Sequence, residues 1–290
     1  MIWLLFALVA ALFTAAYRVT TRHVMKAHSP YAYALLINLF GSFLTLPLIW
    51  TDFSWEQMPQ HWWPWLLVLA SSVLWATIMV VAFTSMKLVP VSRREQISQV
   101  EVVFVLVFAA LVLRESLTWM KVVGALLVVG GALVAAVGRT SVHSGWRSRG
   151  VVLTVIVAAL YALVAIVDAA ALRYFPTGLL TFMLYFFPFV ILAAFLAAKR
   201  HRVSTMHLVH KKGWVVIGAT LLSVTSYYTG LRAYDVAEAS TVYPVLKLAM
   251  VFAVIGGIVF FKEERVHITR KLLAAILVLL GVIVVAAGGV

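Results

Sequence analysis

Apolar residues run along this chain in long unbroken stretches, separated by short clusters of cations rather than by alternating polar positions. A helix needs roughly 20 apolar residues to cross about 30 Å of hydrocarbon. Ten stretches of that order can be marked, covering Ile2 to Met25, Tyr31 to Trp50, Trp65 to Met86, Ser92 to Leu113, Trp119 to Gly138, Val151 to Leu172, Gly178 to Ala198, Trp214 to Ala233, Ser240 to Phe261 and Ile268 to Gly289. The pattern predicts an all-α integral membrane protein with ten transmembrane helices and no separate soluble domain. Eight spans are free of charge through their centres, whereas Glu101 interrupts the fourth and Lys247 the ninth. The first span lacks a positive leader and runs on into Arg18 and Arg22, which predicts a retained helix rather than a signal peptide.

Composition agrees with this reading. Apolar residues make up 64% of the 290 and charged residues only 11%, with a mean hydropathy of +1.06, which excludes a soluble enzyme and a disordered chain. Cysteine is absent, so disulfides, thiolate catalysis and zinc-thiolate sites are excluded together. The net charge of +13 lies in short loops facing anionic headgroups and does not imply a nucleic-acid partner. Neither an H-E-x-x-H sequence nor a phosphate-binding glycine loop occurs, so no metal, cofactor or catalytic activity is expected.

Sliding the sequence on itself by 148 residues brings its halves into register. Val9-Ala10-Ala11-Leu12-Phe13 falls on Val157-Ala158-Ala159-Leu160-Tyr161, Ser92 on Ser240, Val103-Phe104 on Val251-Phe252, and Glu115 on Glu263. An odd number of spans per half means that the second half enters the membrane from the opposite side. Two inverted five-helix repeats, residues 1–145 and 146–290, follow from that count, and such repeats suit alternating access around a site at the midplane.

Several of these segments are similar to a known family. Pro90-Val91-Ser92, the run from Ile97 to Val105, Arg114-Glu115-Ser116-Leu117-Thr118 and the glycine-rich Gly124 to Gly131 resemble the fourth and fifth helices of EamA-type permeases, within the drug/metabolite transporter (DMT) superfamily. The second half repeats the pattern more weakly in Val251-Phe252, Lys262-Glu263-Glu264-Arg265 and Leu279-Leu280-Gly281. The resemblance implies ten helices, a cavity lined by helices 1 to 4 and 6 to 9, peripheral fifth and tenth helices, and secondary transport of small metabolites. Val102 and Met250 stand where the family usually has proline, so the kink that proline gives those helices is not implied here.

An intramembrane charge costs about 2.5–3.5 kcal/mol on insertion scales and persists only when something compensates it. Under the 148-residue shift Lys247 falls on Gln99 and Glu101 on Ala249, so both charges occupy the same stretch of equivalent helices. One reading has Lys247 holding an anionic group of a substrate while Glu101 binds a cationic group or a competing proton. The other is a static ion pair joining the two halves. Tyr243 lies one turn before Lys247 and shares its face. Trp75, Tyr161, Tyr185 and Tyr227 are candidate substrate contacts, because buried indole and phenol groups need polar partners, with helix packing as the alternative. Asn38 is either a further contact or interhelical glue. Asp168 and Arg18 are candidates for a gate or coupling pair, set against simple snorkelling to the interface. Glu115 and Glu263 are expected at the positive ends of the fifth and tenth helices, and Arg93-Arg94 reads as a topology signal.

Lys and Arg divide into 18 in the loops after odd-numbered helices and 4 after even-numbered ones, Lys247 being the remainder. The positive-inside rule then places both termini outside, while the resemblance implies both inside. The first functional reading is a secondary transporter of a small organic metabolite in the cytoplasmic (inner) membrane, working by alternating access with proton coupling or exchange. The second is a flippase or accessory subunit for a lipid-linked intermediate. Partners are a small-molecule substrate and membrane lipids, and a homodimer is left open.

Overall fold

The computed structural model describes residues 2–25, 29–53, 58–88, 97–136, 149–198, 205–249, 252 and 268–288. Ten α-helices lie among them: α1 (Ile2–Met25), α2 (Pro30–Asp52), α3 (Trp63–Leu88), α4 (Val100–Phe108), α5 (Trp119–Ala136), α6 (Arg149–Ala171), α7 (Thr177–Ala198), α8 (Thr205–Val236), α9 (Ala239–Leu246) and α10 (Ile268–Gly288). Helices α1, α2, α3, α6, α7 and α8 are long and apolar enough to cross a membrane, while α4 with its extension, α5 and α10 carry shorter apolar stretches. Long uninterrupted runs of Leu, Val, Ala and Phe leave the backbone no solvent to bond with, and the helix satisfies every amide internally.

Three elements differ from the expected spans. Helix α8 begins at Thr205, nine residues before the apolar run at Trp214, because an amphipathic segment precedes a break at Lys212 (φ −142°, ψ 24°). Helix α4 starts only after a turn at Ser98-Gln99, where the amides of Glu101 and Val102 reach back three residues to the carbonyls of Ser98 and Gln99. Helix α9 is interrupted at Lys247, whose amide bonds the carbonyl of Pro244 at 3.2 Å. Pro244 lies inside α9 and withholds one amide from the ladder, which explains why the chain turns there. Gln99 and Lys247 are equivalent under the 148-residue shift, so both helices are irregular at the same point without the family's usual prolines.

At its far end α4 widens into a π-helical turn, Ala109–Leu113, closed by Arg114 in the left-handed conformation (φ 57°, ψ 34°). That conformation costs a non-glycine residue about 1–2 kcal/mol. It also redirects the chain just before Glu115, whose carboxylate bonds the amides of Ala239 and Ser240.

Packing between helices follows a paired scheme. Helix α1 packs on α8 and α3 on α6; α2 packs on α8 and α3 on α7; α4 packs on α6 and α1 on α9. Advancing each label by five exchanges the members of every pair. The α2–α7 and α5–α10 contacts map onto themselves. At the second of these, a β-carbon on Gly124 would fall 2.6 Å from the carbonyl oxygen of Gly281, and one on Gly281 would fall 2.6 Å from that of Gly124. Only glycine permits this reciprocal approach.

Polar bonds gather one set of helix ends. Asp52, ending α2, accepts the amide of Gly178 at the start of α7 (3.2 Å) and pairs with Arg232 near the end of α8 (3.0 Å). Trp63 and Trp65 at the start of α3 meet Tyr174 and Phe175 of the α6–α7 link edge-on. Glu115 accepts the amides of Ala239 and Ser240, each at 2.9 Å, and buried Lys121 pairs with Glu238. The carboxylate of Glu115 therefore stabilises the N-terminus of α9, not that of α5, which corrects the sequence expectation. Glu263, Arg93, Arg94 and Met250 lie outside the described residues.

Candidate functional site

Among the described residues, two polar centres built on a buried carboxylate lie inside the apolar bundle. The first joins the halves through α4 and α9. Lys247 donates from Nζ to Glu101 Oε2 at 2.6 Å, and the two side chains are 7% and 5% exposed. The turn after Pro244 orients Lys247, whose ammonium also sits 4.9 Å from the ring centroid of Tyr243, one turn earlier. Gln99 is buried in the turn before Glu101. The sequence pairing of Glu101 with Lys247 is thus met in space, in the geometry of a direct ion pair.

The second centre is built around Asp168 on α6. Its Oδ1 accepts from the Ser71 hydroxyl, and its Oδ2 accepts from Tyr227 at 2.6 Å and from the Trp75 indole at 3.3 Å. Trp75 and Tyr227 are joined by a further bond of 3.1 Å between Nε1 and the phenol oxygen. Aromatic rings surround this knot: Trp75 meets Tyr161 and Tyr227 edge-on at 5.8 and 5.3 Å, and Tyr185 meets Tyr227 at 6.0 Å. Tyr185 bonds Ser223 at 2.8 Å, and Gly41 of α2 makes room for its ring, since a β-carbon there would overlap it.

These aromatics face inward. Trp75, Tyr161 and Tyr227 each follow an exposed residue of the same helix by nine positions (Leu66, Val152 and Gly218), which at about 100° per residue is the opposite face. Yet all three are only partly buried. Ser71 is eight residues into α3, about 12 Å along the helix, which puts this cluster well inside the apolar layer.

Asp168 accordingly does not snorkel, although it lies three residues from the end of α6. It is 2% exposed, and the link that follows packs its Tyr174 and Phe175 against Trp63 and Trp65. Nor does it contact Arg18: its carboxylate is held by Ser71, Trp75 and Tyr227, while Arg18 lies partly buried on α1. Asn38 belongs to neither centre. It donates to the Ala34 carbonyl at 2.8 Å and to the Met79 sulfur at 2.9 Å, between α2 and α3.

Sequence reasoning passed over Lys121, Ser71, Ser223 and Tyr234. Lys121 counts as a loop cation by position, yet it is 1% exposed and also donates to the Ser116 carbonyl at 3.0 Å. Tyr234 on α8 packs both with the cluster holding Val102 and Tyr243 and with that holding Leu172 and Trp75.

The sequence matches the EamA-like transporter family over residues 1–137 and 148–287. No curated protein matches it by sequence. In fold it is similar to 29 chains of solved structures. One of them, a crystal structure described only as that of a protein, has a TM-score of 0.79 at 15% identity, covering 99% of this chain and 97% of its own.

Proposed function

Because the chain belongs to the EamA-like transporter family, whose members are membrane transporters, we propose that it moves a small organic metabolite across the cytoplasmic membrane by alternating access. The observation that carries this reading is the cluster around Asp168: a carboxylate held by Ser71, Trp75 and Tyr227, with partly accessible aromatic rings, deep in an otherwise apolar bundle. A polar cluster of that composition suits a hydrated solute, and a lipid-linked cargo would instead need an apolar groove open between helices.

The paired packing and the two family matches support a ten-span arrangement of two inverted repeats. The described polar ties favour a bundle closed at the end carrying Asp52, Glu115, Lys121 and Arg232. Alternating access then consists of releasing those ties while the opposite end closes. Glu101 and Lys247 join the two irregular helices, one from each half.

Reconstitution into liposomes tests the proposal. Counterflow of a water-soluble metabolite, driven by its own gradient and saturable, is the expected result. Headgroup translocation of a labelled lipid with no solute flux would overturn it in favour of a flippase.

A further inference from the structure

Of the six acidic residues among those described, four are ion-paired: Glu101 with Lys247, Glu238 with Lys121, and Asp52 and Asp235 with Arg232. Glu115 faces the N-terminus of α9. Asp168 is different. It is 2% exposed, and the groups bonded to it, a serine, an indole and a tyrosine, are all neutral. Hydrogen bonds from neutral donors orient and stabilise a carboxylate, but they leave its whole negative charge in the membrane interior without a counterion.

The counterion must therefore come from outside the described protein groups. Resting on the transport reading above, we propose that Asp168 is the binding site for the ammonium group of a cationic organic cargo, in competition with a proton. The aromatic rings around it fit that assignment. Trp75, Tyr161, Tyr185 and Tyr227 cluster by edge-to-face contacts beside the carboxylate, and aromatic faces near a carboxylate are the usual means of holding organic ammonium ions. Glu101 cannot serve in the same way, because Lys247 already neutralises it.

Competition follows from the surroundings. Helix α3 brings only Ser71 and Trp75 to Asp168. On the other elements packed against α6, α8 carries Tyr227, Tyr228, Arg232, Tyr234 and Asp235 in its last three turns and His207, His210, Lys211 and Lys212 in its first ones, α4 carries Glu101, and α9 with its C-cap carries Tyr243 and Lys247. Arg232 is engaged by Asp52 and Asp235, and Glu101 and Lys247 by each other. Asp168 is left to exchange one positive charge for another, a proton for an ammonium ion, with no change in the charge of the buried site.

Matched probes test the assignment on the purified full-length protein: tryptamine, indole-3-acetate, methylammonium and tetramethylammonium, titrated calorimetrically and in weakly buffered solution. The expected result is binding of at least one ammonium ion and none of indole-3-acetate. Proton release on binding and an affinity that falls by up to about tenfold per pH unit on the acid side should accompany it. Asp168→Asn should lower affinity roughly a hundredfold and abolish proton release, and Asp168→Glu should restore part of both. Tyr227→Phe, which keeps a ring but removes a donor, should bind more weakly at acid pH than at alkaline pH. Absence of ammonium binding in wild type, or proton-linked binding that survives Asp168→Asn, would overturn the assignment. Saturable counterflow of a neutral or anionic solute, indifferent to the cations, would overturn it while keeping the transport reading. If no solute moves in liposomes but the cations bind with proton release, the site stands and the transport reading fails.

Discussion

Removing either partner of the Glu101–Lys247 bond should be far more damaging than removing both. At 2.6 Å and an effective dielectric constant near 20, the direct attraction is about 6 kcal/mol. Most of it offsets the cost of taking two charges out of water, so the pair contributes little net stability relative to well-packed neutral side chains. The single variants do not share that balance. Lys247→Met leaves Glu101, 5% exposed, without this cation, and Glu101→Gln takes the carboxylate from an ammonium whose contact with the Tyr243 ring is worth roughly 0.5–2 kcal/mol. Each single change is expected to cost about 3–5 kcal/mol, and the double variant Glu101→Gln/Lys247→Met should recover most of the loss. Unfolding in mixed micelles, followed by far-ultraviolet circular dichroism across the four proteins, gives the coupling energy directly. Single costs that simply add, with coupling below about 1 kcal/mol, would show that the two groups are not a buried pair and would refute the reasoning.

Three further outcomes follow from other parts of the bundle. Glu115→Ala should cost about 1 kcal/mol in the same unfolding assay, since it removes the acceptor for two amides at the start of α9; Glu115→Gln should retain part of the effect. Gly124→Val should destabilise by about 1–3 kcal/mol or more through the clash with the Gly281 carbonyl, whereas Gly130→Ala, where a β-carbon meets nothing within 4 Å, should be neutral within about 0.5 kcal/mol. A C-terminal alkaline phosphatase fusion should be active and a fluorescent-protein fusion dark if the 18-to-4 division of cations sets the orientation, and bright cytoplasmic fluorescence would reverse that assignment.

Six of the expected spans, α1 to α3 and α6 to α8, were legible in the sequence because lipid imposes one constraint on every residue of a crossing helix, and a run such as Gly178 to Ala198 satisfies it without exception. The Glu101–Lys247 pair was legible for the same reason inverted: a charge in such a run stands out, and the 148-residue shift places the two together. Asp168 was misread because sequence distance from a helix end is a poor measure of depth. Only the fold shows Tyr174 and Phe175 tucked under Trp63 and Trp65. Glu115 was assigned to the nearest helix start in sequence, whereas the left-handed Arg114 delivers it to the nearest one in space. Lys121 carried no signal of burial, since its partner Glu238 lies in a link 117 residues away.

The reciprocal approach of Gly124 and Gly281 bears on how such a bundle can move. In an inverted duplication the two end states are mirror roles played by the same pair of halves: what α1 does in one, α6 does in the other. A contact that maps onto itself has no counterpart to trade places with, so it must look alike before and after the exchange. On the alternating-access reading proposed above, the α5–α10 seam, held by two backbones too close for any side chain, would be the fulcrum and the helices around it the lever arms.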